Sequence, residues 1–185
     1  ADECDWDKVL DEMSDLPGDA SREMVMFKNI ALLNKGEMGE KMYKYNNMGE
    51  QPKNDFDTLP VHMVQAGGDL IYYYHGKTNF SLRWSIENSV EYGYCFYRLK
   101  NMARCALVNG EMDLAKKYLN ILSTSIYYKD WAESLLPVTD NPELLKNFHE
   151  FDTVKELWSN MGSTLDGDNG LCEMYLLNYF SQTIN

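Results

Sequence analysis

The chain has 185 residues, 44% of them hydrophobic, which suits one domain with a substantial core and is short for two. It carries 17 Lys and Arg against 29 Asp and Glu, so its formal net charge is −12 at pH 7. This charge argues against non-specific nucleic-acid binding and against docking on an anionic membrane, because both need clustered cations. The longest apolar run, residues 70–74, is far shorter than the ~20 residues that span a bilayer.

The first predicted elements are two helices and a short arm. Residues 6–13 have apolar side chains at helical spacing, and Pro17 and Gly18 end that helix. A second helix begins after Ser21, a favourable N-cap, and ends at Gly36. A shorter helical arm follows over residues 39–45.

Three further antiparallel helical pairs are predicted after a polar loop at residues 46–55. Their helices cover residues 61–74 with 79–92, 94–108 with 112–123, and 127–136 with 142–151, the last extended over 152–160. A connector at residues 162–170 precedes a final amphipathic helix, 171–184. The sequence therefore predicts one all-α domain over residues 1–185. Its hairpins fall at about 21–45, 61–92, 93–123 and 126–160.

Three glycines, Gly36, Gly76 and Gly110, each separate two of these helices. The tripeptide Gly-Glu-Met occurs at Gly36 and again at Gly110, and 34 residues separate Gly76 from Gly110. A 34-residue period is that of the tetratricopeptide helix-turn-helix unit. The longer interval from Gly36 to Gly76 accommodates the polar loop. The spacing predicts a stack of antiparallel helical hairpins, an architecture typical of binding proteins.

The third hairpin resembles a tetratricopeptide repeat in its residue types as well. Its first helix carries Leu99, Met102, Ala103 and Ala106 at the signature positions, and its second carries Ala115, Leu119 and Leu122. The match covers residues 93–122, while Lys41 and Ser81 stand where the signature has alanine in the earlier units. The resemblance implies a tetratricopeptide-like right-handed α-solenoid with irregular repeats.

Two regions of the sequence also resemble an uncharacterised bacterial family. They are Asn29-Ile30-Ala31-Leu32 leading to Gly36 and Tyr45, and Lys100–Glu133 with its segments Cys105–Glu111 and Tyr127–Ala132. Members of that family carry several predicted transmembrane helices before a soluble helical region, and their function is not assigned. The resemblance implies that this chain is the soluble part of a membrane-anchored bacterial protein, on an unknown side of the membrane. It implies no catalytic residues.

No motif in the sequence predicts catalysis, a cofactor or a metal site. Residues 166–170 begin like an EF-hand loop, but Leu171 and Leu177 stand where glycine and glutamate are needed. None of the three histidines has ligand spacing, and His75 is expected at a helix C-terminus, where positive charge is favourable. We therefore expect a protein that is not an enzyme and has no cofactor. A further hypothesis is that the protein is an enzyme whose active site lies partly in sequence outside this chain.

The four cysteines are predicted to be buried free thiols. They are widely scattered, and Cys95 and Cys105 would lie ~15 Å apart on one helix, too far for a disulfide. No CxxC motif accompanies them, which argues against a metal site.

The tetratricopeptide resemblance also selects a candidate binding face. In that repeat the first helix of each unit lines the concave side, and the matching positions here are Met63, Leu70, Tyr73, Tyr74, Tyr97, Lys100 and Arg104. The predicted site consists of Tyr73, Tyr74, Tyr97, Lys100 and Arg104. Two cations one helical turn apart, beside aromatic rings, suit the carboxylates of an acidic peptide or of a polypeptide's carboxyl terminus.

Two alternatives remain open at this face. Lys100 and Arg104 can instead pair with acids of the next hairpin, such as Glu111 or Asp113. The many aromatic side chains between residues 72 and 97 can fill the seams between helices, or line a pocket for a small ligand or a glycan. The principal expectation is a protein or peptide partner, with any membrane contact made through segments absent from this chain.

Overall fold

A computed structural model describes residues 2–14, 22–44 and 67–161, and all regular structure in these ranges is helical. Three helices come first: α1 is Trp6–Ser14, α2 is Arg22–Asn34, and α3 is Met38–Lys41, followed by a 3₁₀ turn at Met42–Lys44. The helix α4 is described over residues 67–74. Then come α5 (Thr78–Tyr92), α6 (Phe96–Asn109), α7 (Met112–Leu122), α8 (Lys129–Asp140), two 3₁₀ helices (Pro142–Asn147 and His149–Phe151) and α9 (Asp152–Met161).

Helices that are neighbours in the sequence pack against one another. The helix α1 packs on α2, α5 on α6, α6 on α7, and α7 on α8. The helix α8 packs on the 3₁₀ helix that follows it. One face of α7 is buried because Ala115, Leu119 and Leu122 recur at helical spacing. Ala103 on α6 and Ala115 on α7 are both fully buried, as expected for small residues between packed helices. The prediction of an all-α protein with sequentially packed helices is confirmed.

The three turn glycines adopt the same conformation. Gly36, Gly76 and Gly110 have φ of +68°, +75° and +79°, in the left-handed region that glycine tolerates best. The residue after each glycine donates its N–H to the carbonyl five residues earlier, at 2.9 Å for Glu37, 3.0 Å for Lys77 and 2.9 Å for Glu111. This bond is that of a Schellman cap, which ends a helix. Each glycine ends a helix, as predicted.

The last described helix packs back onto the end of α4. A Cβ placed on Gly76 would lie 2.9 Å from Leu157 Cβ and 2.9 Å from the Trp158 nitrogen, so only glycine allows α9 this close. Phe151 and Val154 are fully buried in the same core cluster as Tyr73 and Tyr74. The end of α4 is therefore covered by the C-terminal part of the described residues.

The region after α8 differs from its prediction. The single helix expected over residues 142–151 is two 3₁₀ helices, and α8 continues through Pro137 to Asp140. Asn141 is extended, with φ −136°, and its side chain accepts a hydrogen bond from the Glu143 nitrogen at 3.3 Å. Proline at the next position favours an extended residue before it, which is why a new element starts here rather than a continuation of α8.

For the three described cysteines the prediction of free thiols is confirmed, while full burial is found only at Cys105; Cys172 lies outside the described residues. Cys4, Cys95 and Cys105 are free thiols, and Cys105 is buried. Cys95 is exposed because it is the extended residue that precedes α6, not a residue within the helix.

Several predictions concern residues outside the described ranges. They are the polar loop at 46–55, the first half of the helix at 61–74, the connector at 162–170 and the final helix at 171–184. Across the part of the protein that the structure describes, each helix is too short or too polar to cross a membrane.

Candidate functional site

The five predicted site residues come together at the adjoining faces of α4 and α6. Tyr73 and Tyr74 end α4, while Tyr97, Lys100 and Arg104 follow one another along successive turns of α6. The Arg104 guanidinium carbon lies 5.9 Å from the Tyr73 ring centre, and the two tyrosine rings are 5.1 Å apart. The site is covered rather than open, since Lys100 is 6% exposed and Arg104 only 1%.

Asp2 is the main hydrogen-bond partner of both cations. Arg104 Nη1 donates to Asp2 Oδ1 at 2.9 Å, and Lys100 Nζ donates to Oδ2 at 3.2 Å. The main-chain carbonyl of Asp2 accepts two more bonds, from Arg104 Nη2 at 2.8 Å and from Lys100 Nζ at 3.2 Å. We call Lys100 and Arg104 the cation clamp. It holds Asp2 by both its side chain and its backbone.

Aromatic rings surround the clamp. Lys100 Nζ lies 5.3 Å from the ring centre of Tyr128 and 5.4 Å from that of Trp131, and the Arg104 guanidinium carbon lies 5.8 Å from the Trp131 ring centre. Cations within about 6 Å of a ring are attracted to its face. Trp131 thus contacts both cations.

Glu150 supplies the second carboxylate. Its Oε2 accepts from Arg104 Nη2 at 3.3 Å, and its Oε1 accepts from Trp131 Nε1 at 2.8 Å. Two cations therefore face two carboxylates, so the group is close to electrically neutral. Neutrality matters because an unpaired charge is costly away from water.

The surroundings alter the acidity of both cations. Burial lowers the pKa of Lys100, and the nearby charge of Arg104 lowers it further, while Asp2 opposes this shift. Burial acts in the same direction on Arg104, but Tyr74, Tyr73, Glu150 and Asp2 together raise its pKa above the usual value. Burial therefore works against the charged form of both cations, and the carboxylates of Asp2 and Glu150 favour it.

Tyr97 is fixed by a buried carboxylate. Its hydroxyl donates to Asp69 Oδ1 at 3.3 Å, and Ser85 Oγ donates to Asp69 Oδ2 at 3.1 Å. Burial raises the pKa of Asp69, although hydrogen bonds from the Leu70 nitrogen, Ser85 and Tyr97 oppose the rise. Asp69 therefore links α4, α5 and α6 beneath the site.

The residues that follow Asp2 also touch α4. Cys4 Sγ lies 3.5 Å from the Tyr74 hydroxyl, and the Trp6 ring meets the Tyr74 ring edge-on with centres 5.0 Å apart. Cys4 has φ +55°, which L-residues rarely adopt. Residues 2–5, which we call the N-terminal segment, thus lie over the site in a strained conformation.

A cavity of about 600 Å³ lies beside this segment. Its apolar lining comprises Val9, Met13, Met24, Phe27, Leu70 and Tyr97, and its acidic lining comprises Asp2, Glu3, Asp5, Glu12 and Glu23, with Lys8 and Gly67 completing it. The volume falls within the range of small-molecule pockets.

Several residues of the site were not identified from the sequence. The acids that pair with the clamp are Asp2 and Glu150, not Glu111 or Asp113, and Asp2 is 102 residues from Arg104. Such distant pairing has no local sequence signal. Tyr128 and Trp131 did have one, because they lie in the segment 127–132 that carries the family resemblance.

Metal ligands are not grouped in the described residues: no cluster of three or more His, Cys, Asp or Glu there could hold an ion. His149 is a surface residue, as expected. His75 does end α4 but is buried and uncharged near neutral pH, because burial lowers its pKa to about 4. The expectation of a favourable positive charge at this position was therefore wrong.

Comparison with known proteins yields one family. No curated protein and no solved structure matches the sequence. A family model described as a family of unknown function (DUF6057) matches residues 1–179. Membership of an uncharacterised family was expected and is confirmed, while tetratricopeptide identity and a membrane-protein origin stay predictions. The protein therefore belongs to the family of unknown function DUF6057.

Proposed function

We propose that this protein is a non-catalytic scaffold that binds a protein or peptide through the face formed by α4 and α6. The observation that carries the proposal is the way in which the cation clamp holds Asp2. Four hydrogen bonds reach one carboxylate and one main-chain carbonyl, which are the acceptors that a bound acidic peptide offers.

The chemistry of the clamp suits this task. Arginine donates through a rigid fork, so Arg104 reaches a carboxylate oxygen and the neighbouring carbonyl of Asp2 at once. Lys100 adds a mobile donor on a flexible stem. The rings of Tyr128 and Trp131 shield both charges from water, which strengthens each hydrogen bond.

The architecture proposed for the scaffold is a tetratricopeptide-like right-handed α-solenoid. Its support is the 34-residue spacing of Gly76 and Gly110, their shared cap geometry and the buried alanines 103 and 115. Family resemblance supports the further proposal that this scaffold is the soluble part of a membrane-anchored bacterial protein.

A peptide-binding measurement tests the function. The probe is an acetylated, fluorescein-labelled peptide with the sequence of residues 2–8, carrying serine at the Cys4 position, and its twin has asparagine for the first aspartate. Fluorescence anisotropy should give saturable binding of the aspartate peptide, in the native protein or in the Asp2→Asn variant, and weaker binding of the twin. Lys100→Gln and Arg104→Gln should each abolish binding of the aspartate peptide.

Lys116→Gln is the matched control, since Lys116 is a half-exposed cation on α7 that pairs with Asp140. It should leave peptide binding unchanged. The proposal is contradicted if neither the native protein nor Asp2→Asn binds the peptide, or if both clamp substitutions leave binding intact.

A second candidate function rests on the 600 Å³ cavity. Its walls are largely aliphatic and its rim is acidic, which suits a small apolar ligand with a neutral or cationic end better than a glycan. Thermal-shift measurements with octylamine and octanoate test it: the amine alone should raise the melting temperature. Met13→Trp, which fills the cavity, should remove that shift, and a shift retained in this variant would argue against the cavity.

A further inference from the structure

Resting on the proposed function, we infer that the N-terminal segment is a tethered occupant of the peptide site. The partner is accordingly an acidic segment that presents an Asp or Glu side chain together with its own main-chain carbonyl. Such a segment takes the place of Asp2 on the cation clamp and releases residues 2–5.

The first argument is that the clamp contacts nothing particular to position 2. Within the N-terminal segment, Lys100 and Arg104 donate only to the carboxylate and the backbone carbonyl of Asp2. Every aspartate in an extended peptide carries the same two acceptors, and glutamate carries them on a side chain longer by one methylene. An acidic segment from another protein can therefore form the same bonds.

The second argument is that little else secures the segment. Glu3 is exposed, and Cys4 makes a long contact of 3.5 Å to the Tyr74 hydroxyl. Asp5 accepts hydrogen bonds from the Lys8 and Val9 nitrogens, which belong to α1 and not to the site. The left-handed backbone of Cys4, at φ +55°, is unfavourable for a residue with a side chain. Release of the segment relieves this strain, so exchange loses few contacts besides those at Asp2.

The third argument concerns selectivity. When Asp2 leaves, Lys100 and Arg104 retain Glu150 as their carboxylate partner, and one positive charge is left uncompensated. A neutral segment that covered the clamp in place of Asp2 would bury that charge without a partner, which is strongly unfavourable. Asp2 is therefore exchanged for another anion and not for a neutral segment, which restricts the partner to acidic sequences.

A tethered occupant also lowers the apparent affinity of the site for its partner. The apparent affinity for a partner falls in proportion to the fraction of molecules whose site is free. Weakening the hold on Asp2 should raise that fraction and strengthen binding of the partner. The segment thus acts as an internal competitor, which only an acidic partner in sufficient concentration displaces.

The test compares the native protein with Asp2→Asn, using the peptide of residues 2–8 and its asparagine twin. Anisotropy should show at least about tenfold tighter binding of the aspartate peptide to Asp2→Asn, because its site is free more often. Asp11→Asn is the control, since Asp11 is an exposed acid on α1 outside both the N-terminal segment and the clamp. It should bind as the native protein does.

Alkylation of Cys4 by iodoacetamide reports release of the segment directly. Mass spectrometry quantifies modification at Cys4 relative to Cys95, which is exposed in the same molecule. The aspartate peptide should accelerate Cys4 alkylation in the native protein at least severalfold, and the twin should not. This readout needs no substituted protein, so it stands even where Asp2→Asn folds poorly.

The outcomes separate the two proposals. Tighter binding to Asp2→Asn with peptide-dependent Cys4 alkylation supports the tethered occupant. Equal affinity of both proteins with an unchanged Cys4 rate overturns the tethered occupant and leaves the peptide-binding function standing. Absence of binding to either protein overturns the function and, with it, the exchange.

Discussion

Arg104 on α6 and Lys116 on α7 are cations on adjacent helices in opposite settings. The Arg104 side chain is 2% exposed and pairs with Asp2 and Glu150. Lys116 is 48% exposed and pairs with Asp140, itself 74% exposed. Two other pairs also combine a buried and an exposed residue of one type. His75 is buried and His149 exposed, and Gly76 is buried and Gly110 exposed. The two members of each pair share their charge or residue type and differ chiefly in their surroundings.

The largest effect is expected at the cations. Arg104→Met leaves Glu150 and Asp2 with Lys100 alone, and breaking a buried charge group should lower the free energy of unfolding by about 3–5 kcal/mol. Lys116→Met should change it by no more than about 0.5 kcal/mol, because exposed ion pairs contribute little. Urea unfolding measures both, and equal losses in the two variants would refute the contrast.

The histidines should differ in how stability depends on pH. Burial lowers the pKa of His75 to about 4, from 6.5, so between these values the unfolded state binds more protons than the folded one. The free energy of unfolding should fall by roughly 3 kcal/mol as the pH drops from 6.5 to 4, and this contribution is intact above pH 6.5.

Urea unfolding of His75→Gln across pH 4–7 measures that contribution. The variant should lose the part of the pH slope that belongs to His75. His149→Gln, whose native side chain is 92% exposed, should keep the native slope. A His75→Gln slope identical to the native one would mean that His75 titrates normally.

The turn glycines should give the smallest effects and still differ. At Gly110 no atom lies within 4 Å of an added Cβ, so Gly110→Ala should cost only the left-handed backbone penalty, about 1–2 kcal/mol. Gly76→Ala should cost more, because its Cβ would lie 2.9 Å from the Trp158 backbone nitrogen. Thermal unfolding compares the melting temperatures of the two variants. Equal melting temperatures would show that α9 moves to accommodate the added methyl group without loss of stability.

Local features of the sequence were enough to predict most of the described helices and the glycine caps that end three of them. The caps at Gly36, Gly76 and Gly110 depend on residues within five positions, and the buried faces of α6 and α7 follow from apolar spacing. The predictions at Cys95 and residues 142–151 were wrong because each needed the conformation of a single extended residue, Cys95 itself and Asn141.

The candidate site was predictable only in part. Helical spacing placed Tyr97, Lys100 and Arg104 on successive turns of α6, and the turn glycine aligned them with Tyr73 and Tyr74. The buried tyrosines agree with the alternative that the aromatic side chains fill seams between helices. The burial of Lys100 and Arg104 was not predictable, because their partners Asp2 and Glu150 are distant in sequence. Periodicity indicates which face a residue occupies on its own helix and carries no information about what covers that face.

A crystal structure of Asp2→Asn with the aspartate peptide tests the central claim most directly. We expect the peptide carboxylate within hydrogen-bonding distance of Arg104 Nη1 and Lys100 Nζ, with its carbonyl on Arg104 Nη2, as Asp2 is held in the native protein. A peptide bound elsewhere, with the clamp still closed on the N-terminal segment, would contradict the assignment of Lys100 and Arg104 as a peptide-binding site.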